Sequence, residues 1–148
     1  MWLKLTQETV DKRRVFIVNA ASVPIENLEK KGAERVNVRY LVDERQGSGR
    51  FALRLYSVEE GGQTPLDRHE YEHQVYVLSG QGFLRQSDDN ALQTLHTGDA
   101  VFIPSNAVHQ FTNEREETFV FLCVKGSPEL YASGEKSTTS NDSTQNFC

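Results

Sequence analysis

From Arg35 onward, apolar and polar positions alternate along the chain. Val36, Val38, Tyr40 and Val42 fall on one parity, with Asn37, Arg39 and Leu41 between them. Residues of one parity on an extended strand share a face, so this stretch predicts a strand with one buried side. Further strand-length runs follow at Phe51 to Val58, Gln74 to Leu78, Gly82 to Arg85, Ala91 to Leu95, Ala100 to Ile103, Val108 to Thr112 and Thr118 to Lys125. They are rich in β-branched and aromatic residues. Turn formers separate them: Gln46-Gly47-Ser48-Gly49, Gly61-Gly62, Ser79-Gly80-Gln81-Gly82, Ser87-Asp88-Asp89-Asn90 and Thr97-Gly98-Asp99. Many short, regularly spaced strands predict an all-β sandwich or barrel. The chain has no internal repeat, which predicts one barrel rather than two.

The flanks read differently. Val15-Phe16-Ile17-Val18 predicts a short strand. Ser22 to Gly32 predicts a turn and one short helix, with Asn19 or Ser22 as its cap. Glu26 and Glu29 come early and Lys30 and Lys31 late, the charge order that suits a helix dipole. Tyr131 to Cys148 is dominated by Ser, Thr, Asn and Glu and predicts a disordered tail. The organisation expected is therefore an N-terminal segment over residues 1–34 that packs on the barrel or on a dimer partner, a barrel over 35–130 and a tail over 131–148.

A chain of 148 residues has the size of one domain and can bury a core without disulfide staples. The net charge of −5 argues against a nucleic-acid binder, which would carry a basic face. No apolar stretch is long enough to cross a bilayer, and the first residues lack the apolar core of a signal peptide. Of the two cysteines, Cys123 sits in an apolar run and Cys148 ends the chain, which is neither a metal spacing nor a disulfide framework. The expectation is a soluble, cytoplasmic protein with reduced thiols.

Four histidines, His69, His73, His96 and His109, carry the candidate chemistry. Asp67 and His69 are two apart and share a strand face; His73 has their parity, and His109 comes from a separate strand. Imidazoles and a carboxylate suit a borderline divalent ion. His69-Glu70-Tyr71-Glu72-His73 also fits the H-E-x-x-H pattern of zinc peptidases, but that chemistry needs a helix, and the flanking Gly61-Gly62, Pro65 and Val75-Tyr76-Val77-Leu78 oppose one. His96 lies beside a turn and is expected at the surface.

Gly61, His69, His73, Gly80 and then Gly98, Pro104, Asn106, His109 and Asn113 resemble, in order and spacing, the two motifs of the cupin superfamily. The wording GGQTPLDRHEYEHQVYVLSGQG and GDAVFIPSNAVHQFTN is similar to the small manganese-type cupins with four metal ligands. Asp67 stands in place of the first histidine of that motif, His73 where many cupins have glutamate, and Asn106 in place of a glycine whose left-handed backbone asparagine also tolerates. The resemblance implies an all-β, single cupin (double-stranded β-helix, jelly-roll) barrel. It also implies one divalent ion, Mn, Fe, Ni, Zn or Co, held by Asp67, His69, His73 and His109. Asp67, shorter than imidazole, is open to two roles: direct ligation, or contact through water or another ligand.

Arg54 interrupts an apolar strand and belongs either to a wet outer face or, as the resemblance implies, to the metal chamber, where its guanidinium would anchor an anionic substrate. Tyr56 shares its parity and is a candidate proton or hydrogen-bond donor. Phe119, Phe121 and Cys123 share a face of the last strand; the resemblance puts Phe121 and Cys123 beside the metal, and simple core packing is the alternative. Arg54, Tyr56 and Cys123 are thus the catalytic candidates, and Arg54, Phe121 and Cys123 line the expected substrate pocket. The function implied is a metal-dependent enzyme acting on a small organic molecule, anionic where Arg54 serves as its anchor, with oxygenase-like oxidoreductase chemistry first. A metal-dependent isomerase or lyase and a non-catalytic small-molecule binder are the alternatives. Cupins commonly pair, so a homodimer through Val15 to Val18 and Met1 to Leu5 is expected.

Overall fold

The structure, a computed structural model, describes residues 13–86 and 91–127. Among these, nine strands follow in order: β1 (Glu26–Asn27), β2 (Glu34–Val42), β3 (Phe51–Gln63), β4 (His73–Ser79), β5 (Gly82–Arg85), β6 (Leu92–Leu95), β7 (Ala100–Ile103), β8 (Gln110–Thr112) and β9 (Phe119–Gly126). They form one curled antiparallel sheet in the order β6-β5-β8-β3-β9-β4-β7, with β2 adding to β3 and β1 to β2. The expected Met1–Leu5 segment, the Ser87–Asn90 turn and the Tyr131–Cys148 tail lie outside the described residues.

The alternation in the sequence becomes an inside and an outside. On β4, His73, Val75 and Val77 are buried while Gln74, Tyr76 and Leu78 are exposed. On β9 the buried parity is Phe119, Phe121 and Cys123. Strand register stacks these positions in layers. Val36, Val58 and Phe119 align across β2, β3 and β9; so do Val38, Tyr56 and Phe121, and then Tyr40, Arg54 and Cys123. The inner face thus runs from an apolar floor to a polar mouth. The floor is held by aromatic contacts: Phe119 meets Phe121 with ring centroids 5.1 Å apart, and Tyr56 stacks on Phe121 at 5.2 Å. Each fully buried side chain of this size contributes about 2–3 kcal/mol. Gly82 must be glycine, because a Cβ there would lie 2.0 Å from the Phe119 ring.

Three expectations are corrected. The short N-terminal helix is absent from Ser22 to Gly32; Ala20–Ser22 is a single 3-10 turn capped by the Asn19 side chain. Pro24 disfavours helix at the residue before it, and Glu26 and Asn27 instead pair with Val38 and Asn37 of β2. Val15 to Val18 is not a strand: Val15 and Ile17 are 88% and 87% exposed and the segment joins no sheet. Finally, β3 does not stop at the Gly61-Gly62 turn signal but runs on to Gln63. The β2–β3 register shifts between Glu34 and Val36, and at this bulge a Cβ on Gly62 would meet the carbonyl oxygens of Glu34 and Arg35 at 2.9 Å. The glycine permits close pairing rather than a turn. No helix among the described residues is long and apolar enough to cross a membrane.

Candidate metal centre

The two motifs meet at the open end of the barrel. Asp67 and His109 exchange reciprocal backbone hydrogen bonds, Asp67 N–H to His109 O at 3.0 Å and His109 N–H to Asp67 O at 2.9 Å. The loop before β8 is pinned to the first motif a second time, where Asn106 N–H donates to His69 O at 2.6 Å. Asn106 holds φ 63°, the left-handed backbone expected of it. Asn113 is fully buried, and its side-chain amide donates to Val58 O and Glu117 O, both at 2.9 Å, while its Oδ1 accepts from Arg115 N–H. The motif asparagine is therefore a structural tie that fixes the turn behind the site.

These ties bring His69, His73 and His109 together, with one ring nitrogen of each within 4.8 Å of the others. Metal–nitrogen bonds are about 2.1 Å, so the trio is close to the span of one coordination sphere. His73 Nε2 is buried and has no hydrogen-bond partner among the described residues, which a native core does not ordinarily tolerate unless something binds there. The other side of that ring faces Cys123, with Nδ1 3.3 Å from Sγ. A proton on Nδ1 donates to the sulfur and leaves the Nε2 lone pair for an ion. His109 is oriented in the same way, its Nδ1 lying 2.9 Å from Ala107 O. Burial, together with the neighbouring His109 and Arg54, pushes His73 down to about 3, and burial also lowers His69. Such imidazoles stay neutral, the form that binds metal. The residues present fit a divalent ion.

Asp67 is not one of the converging three. Its Oδ2 lies 3.2 Å from His69 Nε2, and its Oδ1 accepts from Arg68 N–H. The H-E-x-x-H reading fails, because His69 to Glu72 is non-helical and His73 opens β4. His96 lies at the surface beside Asp99.

The histidines wall a cavity of about 220 Å³. Arg54, Tyr56, Phe121 and Cys123 line it, as do Lys30, Tyr40, Tyr71, Phe111 and Lys125. Arg54 thus faces inward; its Nη2 donates to Cys123 Sγ at 3.6 Å and its guanidinium covers the Tyr56 ring at 5.1 Å. Burial raises the Cys123 thiol, with Arg54 pulling the other way, and burial likewise raises Tyr56. Both are protonated donors or acceptors near neutrality. Tyr71, read in the sequence only as part of a turn, stacks on His69 with centroids 4.4 Å apart and carries Lys125 Nζ 5.0 Å above its ring. Lys125 has the inward parity of Phe121 and Cys123, a signal that would have found it. Tyr71 and Lys30 lie on irregular backbone, where no periodicity points inward.

The cupin domain family (Cupin_2) matches residues 54–125, which contain every residue of both motifs. The chain belongs to the cupin family. It is similar to the polyketide cyclase RemF from Streptomyces resistomycificus, with 33% identity over 76% of this chain and 80% of that one and a TM-score of 0.72. It is 35% identical over 72 residues to 1-methylthio-D-xylulose 5-phosphate methylsulfurylase from Rhodospirillum rubrum, spanning 49% of this chain and 45% of that protein. Against acireductone dioxygenase from Yarrowia lipolytica the identity is 27% over 130 residues, 74% of this chain and 75% of that one.

Proposed function

We propose that this cupin is a metal-dependent enzyme acting on a small carbonyl or enol compound, with dioxygenase-like chemistry as the first reading. The observation that carries it is the convergence of His69, His73 and His109 on the wall of a cavity, with the buried Nε2 of His73 left for a ligand. A divalent ion held by these three would supply Lewis acidity toward a carbonyl or enol oxygen. Asp67 completes or tunes that set through His69, the four-ligand arrangement of the manganese-type cupins. Cys123 orients His73, Phe121 and Phe111 exclude water, and Arg54 and Tyr56 present a cation and a hydroxyl to the substrate. The named substrates of the relatives, an acireductone, a polyketide and a xylulose phosphate, are all carbonyl compounds able to enolise.

A second reading, a cyclase or isomerase that uses no O₂, is favoured by the 33% identity to a polyketide cyclase over most of both chains. One experiment separates them. Untagged protein is assayed for bound metals by elemental mass spectrometry, then incubated with a panel of enolisable ketones while O₂ uptake and C–H exchange in D₂O are followed. About one metal per chain with substrate-dependent O₂ uptake supports the dioxygenase. Exchange without O₂ uptake supports the cyclase or isomerase. Protein that neither holds nor takes up metal sinks both readings. The exposed Val15, Phe16 and Ile17 support the proposed homodimer, which light scattering of the purified protein tests.

A further inference from the structure

Three cations surround the chamber, and no carboxylate among the described residues pairs with any of them. Lys30, Arg54 and Lys125 line the same cavity, yet among the described residues the carboxylates nearby are Asp43, paired with Arg45, and Asp67, in contact with the neutral His69 ring. Among the described residues Asp67 is the one carboxylate on the cavity wall, and its side chain faces His69 rather than the three cations. Among the described residues Arg54 has only a sulfur as its hydrogen-bond partner, and its Nε is buried without one. A buried guanidinium is costly unless charge-paired or fully hydrogen-bonded. Lys125 is half-buried and lies above the Tyr71 face, which holds its stem without neutralising its charge. The three stand close enough that Arg54 and Lys30 both act on Lys125, which also feels the more distant Glu44 carboxylate without pairing with it. Their separate origins, a loop before β2, the strand β3 and the strand β9, make the gathering a tertiary arrangement rather than a charge run.

We propose that Lys30, Arg54 and Lys125 form an oxyanion subsite of the chamber, and that the molecule bound there carries a doubly charged group, a phosphate monoester. A planar guanidinium matches two oxygens of such a group, and the two ammonium groups complete its charge. Arg54 and His73 both lie within 3.6 Å of the single sulfur of Cys123, so the anionic group sits only a few bonds from the atom that meets the histidines. The substrate class that follows is a short-chain phosphorylated carbonyl compound. This assignment deepens the enzymatic reading and shares its chamber, but the subsite does not need turnover to be detected.

The test is calorimetric titration of the purified, metal-containing protein with inorganic phosphate, sulfate and acetate, repeated on Lys125→Gln and Lys30→Gln. Both lysines are at least partly exposed, so these variants keep the fold. Metal content is measured on every sample. Phosphate and sulfate are expected to bind more tightly than acetate, and each lysine variant is expected to weaken phosphate by roughly fivefold at unchanged metal content. Phosphate binding that is indifferent to both lysines would place the anion on the metal and overturn the subsite. Acetate binding as tightly as phosphate would overturn the dianion assignment. A metal-loaded protein that binds none of the three overturns the subsite while leaving the metal-dependent reading intact. Loss of metal from the native protein would instead strike that reading.

Discussion

His73 presents Nδ1 to Cys123 Sγ at 3.3 Å while its Nε2 is buried without a partner among the described residues. The two residues come from neighbouring strands, β4 and β9, and the sulfur is braced on its far side by Arg54. The arrangement holds the imidazole ring and its tautomer with a thiol where many metal sites use a carboxylate or carbonyl. Cys123→Ala removes that brace and leaves a small void. Metal affinity should fall by about tenfold or more, measured by competition with a chelating dye, while Arg54 stays in place through Tyr56.

Asp67 and His109 are joined through their backbones, but their side chains differ in what they reach. His109→Ala takes one of three converging nitrogens, and the protein should retain less than about a tenth of its metal at micromolar concentration. Asp67→Ala deletes the carboxylate beside His69 Nε2 and should keep the metal with affinity weakened by about tenfold. His96→Ala, at the surface, should match the native protein. Elemental analysis of the three variants checks all of this, and complete metal loss in Asp67→Ala would make Asp67 a direct ligand.

The depressed histidines give the metal-free protein a pH dependence of known sign. Below the ordinary histidine value of 6.5, the unfolded chain takes up a proton at His73, whereas the folded chain does not until about 3. Burial shifts His69 in the same direction. The folded state therefore loses stability as pH falls from 6.5 toward 3 and is unaffected by these groups above 6.5. Thermal melts of chelator-treated protein between pH 7.5 and 4.5 should show a falling Tm on the acid side. A His73→Gln variant should flatten that slope.

Asn113 pairs with three backbone groups from its place in the core. Asn113→Ala strands two carbonyls and one N–H, and should cost about 3 kcal/mol in urea unfolding. The metal centre should still load in the fraction that remains folded, since Asn113 touches none of the histidines.

Strand positions and burial were legible in the sequence because period-two alternation survives wherever a sheet has one apolar face. The run Gly82 to Arg85 and the run Ala100 to Ile103 coincide with strands β5 and β7, and alternation alone put Phe119, Phe121 and Cys123 on one face, whereas the inward side of Arg54 and Tyr56 came from the family resemblance. The cupin family was legible for a different reason: Gly61, His69, His73, Pro104, His109 and Asn113 keep fixed offsets that a folded strand–turn geometry demands. Where local signals were read without tertiary context, they misled. The capped, charge-ordered stretch from Ser22 to Gly32 looked helical, but pairing with β2 overrode propensity. Gly61-Gly62 looked like a turn, but served a bulge opposite Arg35.

By itself the sequence determined which residues have the chemistry to bind a metal and which face of each strand is apolar. Only the tertiary structure decided which of them meet. The span from His69 to His109 closes because β8 crosses to β3 and the Asp67–His109 bridge locks the two motifs together. The same closure carries Lys30, Arg54, Tyr71 and Lys125, scattered across the chain, onto one cavity wall. Side-chain period is a local property of the backbone and is written in consecutive residues. Convergence depends on strand order and register across the sheet, and no stretch of sequence records these on its own.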